Sequence, residues 1–405
     1  MALVGCGAPG EDPNARWRFG APQVVQQRAD GALQSAWPVS ALGGRTFLVL
    51  TTARTDGSSV VGVVERNGTA WTAPFPWALP LGASGEVVAW ATSEPTPAVL
   101  TRADGALGPV LYLRRFLGDV WTTPEPVTLQ GSERPGVASM AVGSAGVLHV
   151  VYAMPGGSCA DGSQLRHRVR GASGWSAIRV VADTCGLDQV SVAVDPLPRD
   201  RLLVTWTGPA RGVASAGASD LFGSASGDGI ADAGVSAVMF RPAFRVLTGD
   251  NRAAMAVPLG GGRFLTSWSL TTTSPTASGA GPRRAAFNTY DVLADRWETA
   301  NTGWFPSGGS PWLVALSNGA GALAFGADGA QVRAPIVMRQ WSSPAQPSVS
   351  RSVITSPLGL VSSLRALLAV DGTVQATWIE SLDGGSQRLM WSVALPVVPG
   401  DAAGR

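Results

Sequence analysis

One phrase recurs seven times along this chain of 405 residues. It consists of an apolar strand, a turn that often contains glycine, and a second apolar strand that often ends in an aromatic residue. The copies, four clear and three weaker, occupy residues 138–152, 190–206, 253–268, 365–378, 36–50, 87–100 and 311–325. Such repeats stack side by side, because one unit alone is too small to bury its apolar face.

A second phrase follows most copies of the first and places a tryptophan before a short strand. Its members are Trp71, Trp121, Trp175, residues 241–247 (which have no tryptophan), Trp297 and Trp341. Successive members are 50, 54, 66, 56 and 44 residues apart. A period near 50 with four short strands is typical of a β-propeller blade. The sequence therefore predicts an all-β fold with one seven-bladed β-propeller; six and eight blades are the nearest alternatives.

The two ends of the chain predict how the ring closes. The seventh unit supplies two strands and a third at residues 387–395, while its outer strand is missing. Residues 17–25 resemble the tryptophan phrase, so we expect them to pair with 387–395 and remove a free sheet edge. The predicted domains are a lipobox-like start and tether at 1–13, the propeller at 14–398 and a disordered tail at 399–405.

Composition excludes several classes of protein. Gly is 51 and Pro 29, charged residues make up 14 % and hydrophobic residues 45 %, which fits many short strands and turns rather than a disordered chain. Net charge is +2 and no basic run exceeds a pair, so nucleic acid is not an expected partner. No stretch of about 18 apolar residues predicts a transmembrane helix.

The first residues resemble a targeting signal. Leu3, Val4, Gly5 and Cys6 are similar to the lipobox of bacterial lipoproteins, in which the cysteine is lipidated. Only two residues precede Leu3, so either the start of the gene lies upstream or the match is chance. The resemblance implies a lipidated Cys6 and an extracytoplasmic, lipid-anchored protein. Because Gly7 rather than Asp follows, the anchor would lie in the outer membrane of a Gram-negative cell.

Two further cysteines are predicted to form a disulfide. In a propeller, the loop between the second and third strands and the loop to the next blade emerge on one face. Cys159 lies in the first kind of loop and Cys185 in the second, both around blade three. Their bond would require an oxidising compartment, in agreement with the lipobox.

The tryptophan phrase resembles the degenerate Asp-box of sialidase-like propellers, most closely at residues 66–71, Arg-Asn-Gly-Thr-Ala-Trp. Seven-bladed bacterial lectins with tryptophan-rich repeats are similar too. Sialidases carry a Phe-Arg-Ile-Pro signature and three arginines, whereas residues 18–20 here read Arg-Phe-Gly. A tyrosine nucleophile of the sialidase kind would have to be Tyr112, Tyr152 or Tyr290.

Few residues suggest metal or cofactor chemistry. The two histidines, His149 and His167, cannot build a histidine-rich zinc site and are interpreted as ordinary strand residues. No glycine-rich nucleotide motif follows a strand, so no cofactor and no metal are expected. Paired carboxylates from distant loops remain open as a route to glycoside hydrolysis.

Long loops predict the binding face. Loops at 209–233 and 271–284 join the cysteine loops on one side of blades three to five, and long loops on a rigid scaffold often bind ligands. Trp206 and Trp268 end second strands, where they serve either blade packing or sugar stacking. The candidate ligand-binding residues are Asp161, Asp183, Arg211, Asp220, Asp228, Arg283, Arg284, Trp206 and Trp268.

These patterns favour a non-catalytic, extracytoplasmic binding module over an enzyme. The expected ligand is a carbohydrate or a cell-envelope protein, and the expected state is a monomer that meets a membrane only through its lipid anchor. The alternative is a sialidase-like glycoside hydrolase.

Overall fold

The computed structural model describes most of residues 17–396. The description leaves out residues 29–32, 41–44, 54, 56–58, 73–74, 81–85, 94–95, 107, 118–119, 130–134, 158, 160–161, 197–199, 210–218, 227–239, 248–250, 272–282, 299–300, 303–310, 317–320, 329–332, 342–350 and 370. Within the described ranges, the one helical segment is the 3₁₀ turn Ser144–Gly146. No helix there is long and apolar enough to cross a membrane.

The described strands form seven antiparallel sheets, which are the blades of a seven-bladed β-propeller. This confirms the predicted fold class. The two N-terminal strands are β1 (Trp17–Phe19) and β2 (Gln23–Arg28). Blade one contains β3 (Leu33–Ser40), β4 (Thr46–Ala53), β5 (Ser59–Asn67), β6 (Ala70–Trp71) and β7 (Phe75–Pro80). Blade two contains β8 (Glu86–Ser93), β9 (Thr96–Gly105), β10 (Gly108–Leu117), β11 (Val120–Trp121) and β12 (Glu125–Pro126).

The next three blades follow in chain order. Blade three contains β13 (Ala138–Val142), β14 (Leu148–Pro155), β15 (Ser163–Gly171), β16 (Gly174–Trp175) and β17 (Arg179–Thr184). Blade four contains β18 (Gln189–Asp195), β19 (Arg201–Gly208), β20 (Asp220–Ala225) and β21 (Phe244–Leu247). Blade five contains β22 (Asn251–Gly260), β23 (Arg263–Thr271), β24 (Arg283–Asp291), β25 (Arg296–Trp297) and β26 (Asn301–Thr302).

Blades six and seven complete the ring. Blade six contains β27 (Trp312–Ala315), β28 (Ala322–Ala327), β29 (Ile336–Trp341) and β30 (Arg351–Thr355). Blade seven contains β31 (Leu360–Leu368), β32 (Val374–Ser381) and β33 (Gln387–Pro396), and its outer strands are β1 and β2.

The N-terminal strands close the ring by pairing with β33. Trp17 lies opposite Pro396, and Arg28 lies opposite Gln387 at the other end of the pairing. Between β1 and β2, the Gly20 amide donates to the Val393 carbonyl at 2.9 Å. The strand predicted to complete the last blade is therefore confirmed, and the outer edge of β33 is covered.

Aromatic residues at the ends of the second strands pack between blades. Trp206, Trp268, Trp378, Tyr152 and Phe325 are each at most 2 % exposed and lie in apolar clusters that join neighbouring sheets. A recurrent aromatic thus fills the same wedge between successive blades, as large rings do in cores. The inner strands of neighbouring blades are also joined directly. The Val192 amide of β18 in blade four donates a hydrogen bond to Ser139 Oγ of β13 in blade three at 3.1 Å.

The tryptophan phrase occupies two different positions. Four of its tryptophans lie in short strands that fold back on the third strand of their blade: Trp71, Trp121, Trp175 and Trp297. Trp341 instead ends the third strand β29, opposite Ala322, and the outer strand β30 begins ten residues later at Arg351. The prediction that Trp341 belongs to an outer phrase is wrong, because Trp341 is the last residue of the third strand of blade six.

Candidate functional site

A groove of about 490 Å³ opens between blades three and four. One wall is the end of β17 and the residues that lead to blade four, and the other is formed by β19, β20 and β21 of blade four. Its lining includes Asp183, Cys185, Gly186, Trp206, Phe222 and Arg245. The groove lies on the face for which the sequence predicts binding, where the loop after β19 begins.

Aromatic rings form the floor of this groove. Strand register places Trp206 opposite Phe222, and Phe222 opposite Arg245, so the three side chains share one face of blade four. The Trp206 and Phe222 rings stack with centroids 5.8 Å apart and an interplanar angle of 14°. Trp206 is 2 % exposed and Phe222 only partly buried. Phe222 therefore presents the aromatic surface, and Trp206 supports it from below.

Opposite charges stand on the two rims. On the blade-three side, the exposed carboxylate of Asp183 accepts a hydrogen bond from Gln164 Nε2 at 3.1 Å. On the blade-four side, Arg245 is 53 % exposed and its Nη1 lies 3.5 Å from Oδ2 of the buried Asp220. Such a long, half-exposed ion pair contributes little to stability. The contact uses one nitrogen of a guanidinium that has five N–H donors, so others can bond a ligand.

A disulfide and close backbone contacts hold the blade-three wall. Cys159 and Cys185 form the predicted disulfide, with Cα atoms 5.2 Å apart, and so tie the loop after β14 to the groove. A Cβ on Gly208 would lie 2.4 Å from the Gly186 carbonyl oxygen, and one on Gly162 would lie 2.9 Å from the Cys159 carbonyl oxygen. Only glycine permits these approaches, so the wall has a defined shape in the absence of ligand.

The groove unites some of the predicted site residues and not others. Asp183 and Trp206 line it, and Asp220 lies 3.5 Å from Arg245 at its rim. Trp268 is 0 % exposed at the interface of blades four and five. It offers no face to a ligand, and its prediction as a sugar platform is therefore wrong.

The remaining candidates are elsewhere. Arg283 and the exposed Arg284 begin β24 in blade five and are not part of the groove lining. Asp161, Arg211, Asp228 and the proposed lipidation site Cys6 lie outside the described residues.

The sequence does not predict the two side chains on which the groove most depends. Phe222 and Arg245 complete the floor and the rim, yet residues 226–243 separate their strands in sequence. The alternation of β20 gives a usable signal, because Phe222 follows Asp220 by two residues and so lies on the same side of the strand.

Tyr290, one of the three candidate tyrosine nucleophiles, is hydrogen-bonded to a carboxylate. Tyr290 donates its hydroxyl to Asp295 Oδ1 at 2.5 Å, and Arg241 pairs with the same carboxylate at 3.0 Å. Burial and the bond to Asp295 raise the pKa of Tyr290. Tyr152 is completely buried.

The wall of the central channel carries an arginine held by aromatic rings. Trp37 of blade one and Trp312 of blade six meet edge to face at 5.3 Å, although blade seven lies between their blades. The Arg365 guanidinium carbon lies 4.6 and 4.4 Å from the two ring centroids. Burial lowers the pKa of Arg365 to about 10, so this side chain remains a cation. Its contacts are those of a cation–π clasp between blades.

Comparisons with known proteins give a fold and no family. No known protein family matches the chain, and no curated protein matches it in sequence. A protein of unknown function from Dyadobacter fermentans is 12 % identical, with 94 % of this chain and 100 % of that chain covered and a TM-score of 0.52. A fungal alcohol oxidase of the AA5 family, solved with copper, is 11 % identical, with 94 % and 77 % covered and a TM-score of 0.51.

Sialidases are also among the similar structures. The Hadza microbial sialidase Hz136 is 11 % identical, with 92 % of this chain and 68 % of that chain covered and a TM-score of 0.48. At such identities these likenesses concern the fold alone.

Within the described residues, no group of three His, Cys, Asp or Glu side chains is arranged to hold a metal ion. The chain is thus a β-propeller whose groove between blades three and four is its best-defined candidate site.

Proposed function

We propose that the chain is a non-catalytic, extracytoplasmic binding protein whose groove between blades three and four takes a carbohydrate. The observation that carries the proposal is the aromatic floor of Phe222 on Trp206, flanked by the Asp183 carboxylate and the Arg245 guanidinium. Aromatic rings cover the apolar face of a sugar, while a carboxylate and a guanidinium bond its hydroxyls.

The size and rigidity of the groove support this ligand class. A volume of about 490 Å³ falls within the range of about 300–1,000 Å³ typical of small-molecule sites. The wall is set by the Cys159–Cys185 disulfide and by close glycine contacts, so little ordering cost opposes binding. A cell-envelope protein as the natural ligand is the main alternative outcome.

The same disulfide supports an oxidising location, because such bonds persist outside the cytoplasm. We further propose that Cys6 carries the lipid that anchors the protein, in the outer membrane if the cell is Gram-negative. The codons in frame upstream of Met1 test this point. A basic stretch followed by an apolar stretch would support the lipid anchor, and the absence of such a stretch would contradict it.

Substitutions on the floor and the rim should weaken glycan binding. After a glycan array identifies a ligand, we expect Arg245→Met and Phe222→Leu each to raise its Kd about tenfold or more. The first loses hydrogen bonds from a charged donor, and the second keeps apolar packing on Trp206 but loses the ring face. Isothermal titration of each variant measures the change.

Arg333→Met is the matched control, because Arg333 is 59 % exposed and pairs with a single aspartate, Asp383, at 3.2 Å. Its Kd should equal that of the wild type. Equal Kd values for the wild type and both groove variants would show that the ligand binds elsewhere.

A panel of fluorogenic glycosides separates binding from catalysis. We expect no turnover of any glycoside by the wild-type protein. Turnover that disappears when a carboxylate of the central channel is changed would establish the sialidase-like alternative and contradict the proposal.

A further inference from the structure

The only two histidines of the chain form a buried contact between strands of blade three. His149 on β14 and His167 on β15 are 0 % and 1 % exposed, and their rings lie nearly parallel, with an interplanar angle of 14°. His149 Nδ1 lies 3.2 Å from His167 Nε2, and His149 Nε2 lies 3.2 Å from Asp200 Oδ2. The three side chains thus form one hydrogen-bonded row, which we call the histidine latch.

The histidine latch crosses the interface between blades three and four. Asp200 belongs to blade four, just before β19, yet its Oδ1 accepts a hydrogen bond from the Ser144 amide of blade three at 2.7 Å. A Cβ on Gly143 would lie 2.4 Å from Asp200 Oδ2 and 2.8 Å from His149 Nε2. Blade three therefore has a close-fitting binding site for the Asp200 carboxylate of blade four.

Two arrangements of protons join the row, and one of them keeps both rings neutral. Ionised Asp200 accepts the proton of His149 Nε2, so His149 Nδ1 is an acceptor and His167 donates to it from Nε2. In the other arrangement, His149 carries both ring protons and donates from Nδ1 to Nε2 of a neutral His167. In either arrangement, a further proton on His167 would place a charge in a buried site beside the Phe240 ring, whose centroid is 5.3 Å away.

The surroundings of His167 also disfavour a second proton on its ring. Burial and then the nearby His149 lower the pKa of His167 well below its usual value. Asp200 stays ionised, because hydrogen bonds from His149 and Ser144 outweigh the opposing effect of burial and lower its pKa. Charged groups on the neighbouring elements include Arg179, opposite His167 on β17, Asp183 further along β17, and Arg201, next to Asp200. Arg241, next to Phe240, is paired with Asp295.

The histidine latch and the groove share one interface and one segment of chain. Phe240, which packs on His167, is followed by Arg241, whose amide donates to the Ala225 carbonyl of β20 at 2.9 Å. The same segment continues to Arg245 on the groove rim, and β20 carries Phe222 on its floor. Displacement of Phe240 by a charged His167 would therefore move both parts of the blade-four wall.

We propose that the histidine latch makes the groove acid-sensitive. The latch is closed near neutral pH and opens as the pH falls. Its opening loosens the interface of blades three and four, and the groove then releases its ligand. This inference rests on the proposed function for its ligand, while the opening of the interface is independent of it.

The first test needs no ligand. Hydrogen exchange of residues 182–187 and 241–247, corrected for intrinsic rates, is followed from pH 7.5 to 5.0 in the wild type and in His167→Gln. The ratio of closed to open wild-type protein should fall by up to tenfold per pH unit below about 6.5, since opening takes up one proton. The glutamine variant can still donate to His149 but does not titrate there, so its ratio should stay constant. His167→Met serves as a second non-titrating variant if the first does not fold.

The second test uses the glycan selected on the array. Its Kd should rise between pH 7.5 and 5.0 for the wild type and remain unchanged for His167→Gln. The same pH dependence in the wild type and in a folded His167 variant would overturn the histidine latch. Failure of the wild type to bind any glycan at any pH would instead contradict the proposed function, and hydrogen exchange would still decide on the histidine latch.

Discussion

A chain without residues 1–28 should no longer form a stable monomeric propeller. The deletion removes β1 and β2, which pair along β33, and exposes the edge of that strand. It also removes Trp17, whose side chain packs between blades six and seven and whose carbonyl accepts a bond from Ser352 Oγ at 3.1 Å. Size-exclusion chromatography with light scattering should show association or aggregation, and the cooperative thermal transition should be lost.

A circular permutant is the matched control for this deletion. Residues 17–28 are attached after Pro396 through a short turn, which the register allows because Trp17 already lies opposite Pro396. The permutant has the same strands in the same places, so we expect a monomer with a cooperative transition. A truncated chain that stays monomeric with the Tm of the full chain would contradict ring closure by the N-terminus.

Loss of the disulfide should lower the free energy of unfolding by about 3 kcal/mol. Cys159 and Cys185 are 26 residues apart in sequence, and the chain-entropy model gives roughly this value for a loop of that length. Urea unfolding of the double variant Cys159→Ser/Cys185→Ser, compared with the wild type, measures the difference.

Cys6→Ser provides the control for loss of a cysteine, since Cys6 takes no part in this bond. Its free energy of unfolding should match that of the wild type. Two reactive thiols besides Cys6 in the unfolded, unreduced wild type would contradict the disulfide.

The ring could be predicted because its information is local and repeated. Each blade repeats a strand, a turn and a strand, and the missing seventh outer strand left only the N-terminal residues to supply it. Trp341 was misplaced because the phrase around it has the same local appearance whether the turn precedes or follows the tryptophan.

The site was predictable only in part, because it depends on contacts between blades. Trp206 and Trp268 end equivalent strands with similar neighbours in sequence, yet one lines the groove and the other is enclosed between blades four and five. The sequence alone predicts that the two histidines are ordinary strand residues. Their link to Asp200 joins residues 51 positions apart across a blade interface, which no local pattern reveals.

Hydrogen exchange with and without the array-selected glycan tests the central claim most directly, because it locates the bound ligand on the chain. The account predicts slower exchange in residues 182–187 and in β20 and β21, the walls of the groove between blades three and four. It predicts no change in the inner strands β3 and β31, which carry Trp37 and Arg365 on the channel wall. Protection confined to those inner strands, with the groove unchanged, would contradict the account.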